Sequence, residues 1–131
     1  MKRTVIGLSL LLCLVSLPAC MPRSVAALKA EYPEPYRFTV NKGYQAEYKD
    51  LVEYFDRCYI SSIMVPFDKK NVLYPDLKMG EITLIGTMAN FYSPGYMLHA
   101  IVAESNGRTE VSIYGAGGAW RGKWIETGEC K

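Results

Sequence analysis

The sequence has few of the residues and motifs on which enzymes usually depend. It contains a single histidine, His99, and it has no G-x-S-x-G turn for a nucleophilic serine. The glycine-rich residues 115–118 lack the Gly-Lys-Ser/Thr ending of a phosphate loop and the G-x-G-x-x-G spacing of a dinucleotide site. A lone histidine in a strand is more often structural than catalytic. We therefore expect no enzymatic activity, no catalytic residue and no cofactor.

Ligands for a metal ion are equally sparse. Cys58 and Cys130 lie far apart in the sequence and are accompanied by one histidine, which is not the ligand spacing of a zinc site. Asp68, Asp76 and Glu81 lack the alternate-residue oxygen ligands of a calcium loop. The sequence predicts no bound metal.

The chain also lacks a hydrophobic run long enough to span a membrane. Residues 5–17 form an apolar segment of about thirteen residues, whereas a helix that crosses the hydrocarbon core needs roughly 20. Lys2 and Arg3 precede this segment, and Pro18, which breaks helices, follows it. A basic start followed by a short apolar segment is typical of a cleaved signal peptide.

The end of this segment, Leu17-Pro18-Ala19-Cys20, resembles the bacterial lipobox. In that motif the cysteine thiol receives a diacylglyceryl group, and the cysteine becomes the N-terminus after cleavage. The resemblance therefore implies lipidation at Cys20, and several acyl chains anchor stably because each buried methylene contributes about 0.8 kcal/mol. Met21, rather than an aspartate, follows the cysteine, which by the same resemblance favours the outer membrane on its periplasmic face. A conventional secretory signal cleaved near Ala19 is the alternative.

Charge and length give the next limits. Without Lys2 and Arg3, the fifteen basic residues fall to thirteen, the same number as the acidic residues. A near-neutral domain lacks the clustered positive charge of a nucleic-acid-binding protein. We divide the chain into a signal peptide (1–19), the lipidated cysteine with a proline-containing tether (20–37) and one folded domain (38–131), which is of typical domain size.

The sequence contains four cysteines, and the leader accounts for two of them. Cys13 lies in the signal peptide and Cys20 is the lipid acceptor, which leaves Cys58 and Cys130. Two remaining cysteines in an exported domain most often pair, because the periplasm is oxidising. We predict a disulfide between Cys58 and Cys130.

The pattern of apolar residues predicts an α+β fold. Over residues 44–59 apolar residues recur every three or four positions and charged residues occupy the other face, which indicates an amphipathic helix. Asn106-Gly107 is a hairpin signal between two strands. We expect an antiparallel sheet of about four strands, with one face packed by this helix and by a short C-terminal helix. The predicted strands are 38–40, 59–67, 81–89, 96–104 and 109–114; residues 68–78 are predicted as connection and loop, residues 25–30 as a helical turn or two, and residues 119–127 as the second helix.

Tyrosine is the one compositional excess, with ten residues. Exposed tyrosine and tryptophan rings are typical of protein contact surfaces, because they contribute a large area at low cost in conformational entropy. The simpler interpretation is that they are ordinary, partly buried aromatic residues. The candidate contact residues are Tyr92, Tyr96, Tyr114 and Trp120.

Several features together resemble small uncharacterised proteobacterial lipoproteins. They are the lipobox, the early helix that ends in Cys58, the strand at 109–114, and the close of the chain from Trp124 to Gly128-x-Cys130. The resemblance supports the disulfide and the envelope location and implies no activity. Our hypothesis is a lipid-anchored, non-enzymatic envelope protein, held at the membrane through Cys20, that contacts another protein or the cell wall. The alternative is an inhibitor or immunity-type lipoprotein that blocks a periplasmic enzyme; a lipid or small-molecule carrier ranks last.

Overall fold

The computed structural model describes residues 21–61, 66–87 and 95–130, which form an α+β fold. A five-stranded antiparallel sheet carries three α-helices in this part of the chain. The predicted fold class is confirmed, and the expected count of about four strands is one too few. The elements in chain order are α1 (Val25–Glu31), β1 (Tyr36–Val40), α2 (Tyr44–Cys58), β2 (Phe67–Tyr74), a 3₁₀ turn (Pro75–Leu77), β3 (Met79–Gly86), β4 (Gly95–Ser105), β5 (Arg108–Gly115) and α3 (Gly118–Thr127).

The strand order is β1-β5-β4-β3-β2, so the first strand lies beside the last. β2 to β5 follow one another as a meander, and β1 completes the sheet by pairing with β5, where Phe38 lies opposite Val111. The predicted hairpin joins β4 to β5. Asn106 has a φ of 51° and Gly107 a φ of 72°, the two left-handed residues that a tight hairpin turn requires.

The second strand lies later in the chain than predicted. The prediction placed it at 59–67, of which residues 62–65 fall outside the described part; β2 instead starts at Phe67 and runs through residues predicted as connection and loop. These polar residues fit a strand because β2 is at the edge of the sheet. The Lys69 ammonium on the helix-covered face pairs with Asp56 of α2 at 2.7 Å, so its charge is satisfied there.

The main core lies between one face of the sheet and the helices α2 and α3. Its buried apolar side chains come from both helices and from every strand except the edge strand β2, whose Phe67 packs partly buried against it. Burying a Leu, Ile or Phe side chain contributes about 1.5–3 kcal/mol, so this layer is the main source of stability. Its buried members are Phe38, Leu51, Tyr54, Phe55, Ile82, Leu84, Leu98, Ala100, Val102, Val111, Ile113 and Ile125.

The outer face of the sheet is covered over part of its area by α1. This helix lies within the predicted tether, at the place where one or two helical turns were expected, and it contacts β4 and β5. Ser24 caps it by accepting a hydrogen bond from the Ala27 N–H at 3.0 Å. Leu28 is 1% exposed, so the helix is packed onto the domain. Tyr36 and Arg37, the last residues assigned to the tether, belong to β1.

The predicted disulfide between Cys58 and Cys130 is confirmed. It joins the end of α2 to the chain beyond α3, with the two Cα atoms 5.1 Å apart. Gly128 ends α3 in the left-handed conformation, with a φ of 72°, and turns the chain towards α2. The Tyr54 hydroxyl and the Arg57 guanidinium donate to the carbonyls of residues 129 and 128, at 2.9 and 3.0 Å. The C-terminal segment is thus held on α2 by polar contacts as well as by the disulfide.

Candidate functional site

His99 lies in the interior between the sheet and α1. It is 1% exposed, and its Nδ1 atom lies 2.9 Å from the Thr83 hydroxyl of the neighbouring strand. Burial, with a smaller contribution from the charge of Lys29, lowers the pKa of His99 to about 4. The imidazole is therefore neutral near pH 7 and closed to solvent. Such a group contributes to packing, and a substrate could reach it only if α1 moved away.

A metal site would need several His, Cys, Asp or Glu side chains close together. Within residues 21–61, 66–87 and 95–130, no three His, Cys, Asp or Glu side chains come together in a way that would hold a metal ion. Cys58 and Cys130 are joined in the disulfide.

A cleft of about 340 Å³ lies between β1, α2 and α3. Phe38 and Leu51 contribute to its apolar lining, and Glu47 contributes a carboxylate that is almost fully buried. Lys42 neutralises this carboxylate at 3.1 Å and also pairs with Asp50. Because Lys42 forms ion pairs with both carboxylates, the charges at this edge of the cleft are largely compensated within the molecule. These contacts fix the start of α2 against the sheet.

The two ends of the sheet differ in what they expose. We call the end that holds Gly86, Gly95 and Gly115 the proximal end. The opposite end, which holds the turns at residues 75–78 and 106–107, is the distal end. The eight residues of β3 run from one end to the other, a span of about 23 Å at roughly 3.3 Å per residue.

The described chain begins at the proximal end. Met21 packs against Gly95, where an added Cβ atom would lie only 2.5 Å from the Met21 side chain. The Tyr96 N–H donates a hydrogen bond to the Pro22 carbonyl at 2.8 Å. Met21 and Pro22, which we call the chain entry, are therefore fixed to the first residues of β4.

The distal end carries a cluster of exposed apolar side chains that the sequence did not single out. Val72 and Tyr74 project from the outer face of β2, and Leu77 of the following 3₁₀ turn is 67% exposed. We call these three residues the distal patch. The available signal is the apolar run at 72–74 beside a proline, a pattern that predicts a loop or a single turn.

The edge of β2 beside this patch carries backbone groups that no other described strand pairs with. The Pro66 carbonyl accepts from the Thr87 N–H, and hydrogen-bonded pairs alternate along an antiparallel ladder. The alternation directs the backbone N–H and C=O of Lys69, Asn71 and Leu73 away from β3. Since β2 is an edge strand, these groups face the position that a further strand would occupy.

Comparison with protein-family models, with curated proteins and with solved structures finds no match for this chain. No helix of the described ranges has both the length and the apolar composition that a bilayer crossing requires.

The described candidate contact residues differ in how much of their surface is exposed. Tyr92 lies outside the described residues. Tyr96 and Tyr114 are half-buried on the outer face, where the Lys29 ammonium lies 5.0 Å from the centre of the Tyr114 ring. Trp120 is 47% exposed at the start of α3. Of the described three, Trp120 thus has the most surface open to a partner.

Proposed function

We propose that this chain is a lipid-anchored cell-envelope protein, acylated at Cys20, whose domain is a non-enzymatic module that contacts another protein. The observation that carries the proposal is the distal patch, Val72, Tyr74 and Leu77, beside the free edge of β2. Exposed apolar clusters on small domains are typical of contact surfaces. The lipobox resemblance supplies the anchor, and we place it at the periplasmic face of the outer membrane.

The partner chemistry follows from the edge strand. A protein that presents an extended segment could hydrogen bond to the free backbone groups of Lys69, Asn71 and Leu73 and lay apolar side chains against the distal patch. Backbone hydrogen bonds would provide affinity, and the apolar side chains would provide specificity. The proposed partner is thus a protein that adds a strand to β2.

The anchor is tested by fractionation of cells that express the full chain. Cys20→Ser should move the protein from the membrane fraction to the soluble fraction, and mass spectrometry should find acyl chains on the wild-type N-terminal peptide only. Cys13→Ser, within the leader, is the matched control and should leave the protein in the membrane fraction. A Cys20→Ser protein that stays with the membrane contradicts the anchor.

The contact surface is tested with a photo-crosslinking amino acid placed at Leu77 in living cells. Glu53, exposed on α2 on the other side of the sheet, is the control position. We expect a discrete adduct from Leu77 and none from Glu53. Asn71→Pro should abolish that adduct without unfolding the protein, because it removes an N–H that β3 does not use. Val72→Pro, in contrast, removes a ladder hydrogen bond and should destabilise the sheet.

Inhibition of a periplasmic enzyme is the second candidate function. The observation that favours it is the 3₁₀ turn Pro75–Leu77, which ends the β2–β3 hairpin and exposes Leu77. If the Leu77 adduct contains an enzyme, the purified protein should lower that enzyme's activity, and Leu77→Asp should restore it. An adduct with a partner whose activity does not change supports the contact module instead.

A further inference from the structure

Two exposed apolar side chains lie at the proximal end, where the described chain begins. Trp120 stands in the first turn of α3, which starts just after β5 ends at Gly115. Gly115 pairs with Leu98 of β4, a few residues from the Met21 contact at Gly95. Trp120 is therefore at the same end of the sheet as the chain entry.

Ile60 joins Trp120 at this end. It is 72% exposed and follows Tyr59, whose ring contacts the Phe67 ring at 5.9 Å between centroids. Phe67 lies opposite Gly86 at the proximal end of β2 and β3. An apolar side chain this exposed gains little from the domain itself, so a surface that covers it would contribute to binding.

Aromatic and basic side chains at the proximal end have the composition of a membrane-interface anchor. Trp124 packs edge-on against its ring, with centroids 4.4 Å apart, and the Arg121 guanidinium lies 4.8 Å from the ring centre. Arg23, two residues after Met21, is exposed. Tryptophan prefers the headgroup region of a bilayer, and a basic residue near an anionic surface contributes about 1 kcal/mol.

No long linker separates Cys20 from the residues that are fixed to the proximal end. Cys20 directly precedes Met21, and consecutive Cα atoms are about 3.8 Å apart. Met21 and Pro22 are fixed to the start of β4, and α1 is packed onto the sheet. An acyl anchor on Cys20 would therefore hold the proximal end within a few ångströms of the lipid headgroups.

We infer that the proximal end rests on the lipid surface in which Cys20 is anchored, with Trp120 and Ile60 in the headgroup region. This inference rests on the proposed acylation of Cys20. The domain then has one orientation, and the distal patch faces away from the membrane. A partner that reaches the patch must approach from the aqueous side.

The test uses the processed, full-length lipoprotein reconstituted into vesicles of phosphatidylethanolamine and phosphatidylglycerol. Trp124→Phe leaves Trp120 as the single tryptophan. Lipids brominated on their acyl chains should quench Trp120 fluorescence about twofold more than aqueous iodide does, because the ring lies in the interface. The control combines Trp120→Phe, Trp124→Phe and Leu77→Trp, which moves the reporter to the distal end; iodide should quench it and brominated lipid should not.

A second reporter position controls for any loss of packing that Trp124→Phe causes around Trp120. Ile60→Trp with both native tryptophans changed to phenylalanine should show the same protection from iodide as Trp120. Mass spectrometry of the same samples separates the two proposals. If the protein is acylated but iodide quenches Trp120 and Ile60→Trp freely, or if the distal reporter is equally protected, the orientation is wrong and the anchor stands. If Cys20 is not acylated, the result contradicts both the proposed anchor and this inference.

Discussion

Thr83 and His99 lie directly opposite each other on β3 and β4, with Oγ1 and Nδ1 2.9 Å apart. The other imidazole nitrogen, Nε2, is buried without a hydrogen-bond partner in the described part of the protein. A second proton on the ring would therefore place a charge and an unpaired donor in the interior, beside the positive Lys29. This pair makes the stability of the sheet depend on pH.

The first prediction concerns that dependence. The folded pKa of His99, about 4, lies below the unfolded value of 6.5, so the unfolded state binds the proton first. Stability is full above pH 6.5 and falls as the pH drops towards 4, by about 2 kcal/mol between pH 7 and pH 5. Urea unfolding of the wild type and of His99→Gln at both pH values measures this. Equal losses in the two proteins would exclude His99 as the cause.

The second prediction concerns the disulfide. Cys58 and Cys130 are separated by 72 positions, and the chain-entropy model gives about 4 kcal/mol for closing such a loop. The double variant Cys58→Ser, Cys130→Ser should lose about this much free energy of unfolding in urea. Reduction of the wild type should produce a similar loss, and a thiol assay of the denatured, unreduced mature protein should find neither cysteine free. A free thiol at either position contradicts the pairing.

The third prediction concerns α1. Leu28→Ala should cost about 2–5 kcal/mol, the range for truncating a fully buried leucine. Ala26→Ser, at an exposed position of the same helix, should change stability by less than about 0.5 kcal/mol. Equal effects of the two substitutions on the urea midpoint would mean that the segment before β1 is a loose tether.

The fourth prediction compares two glycines of α3. A Cβ atom at Gly122 would lie 2.3 Å from the Tyr36 ring, whereas at Gly118 its closest neighbour, the Ile113 carbonyl oxygen, would be 3.8 Å away. Gly122→Ala should therefore destabilise the protein by about 1–3 kcal/mol through forced movement of the ring. Gly118→Ala should be neutral or stabilising by up to about 1 kcal/mol. Thermal unfolding of both variants checks the difference, and equal melting temperatures would contradict the close contact.

The sequence predicts correctly those features that a local pattern of residues specifies. The stripe of apolar residues in α2 and the Asn106-Gly107 turn specify their own structures, and the two cysteines of the domain had only each other as partners. β2 was misplaced because its polar residues fit a strand only through tertiary contacts, such as that between Lys69 and Asp56. Leu28 is the one buried residue of α1, and a single apolar residue does not form the repeating pattern from which a packed helix can be predicted.

The candidate contact surface could not be predicted in the same way. Whether Val72 or Tyr96 is exposed depends on which strand lies at the edge and which part of the sheet α1 covers. The composition of a single segment determines neither the strand order nor the position of α1. Residue type alone makes Trp120 a candidate, but its place at the same end of the sheet as Met21 follows from the pairing of β4 with β5.

The pairing of the first strand with the last has a consequence for biosynthesis. A ribosome delivers β1 early, yet β1 has no neighbour until β5, residues 108–115, has been made. Ile125 of the core and Cys130 of the disulfide arrive later still. The domain must therefore remain open until residues 108–130 have been made, because β1 pairs with a strand far from it in the sequence.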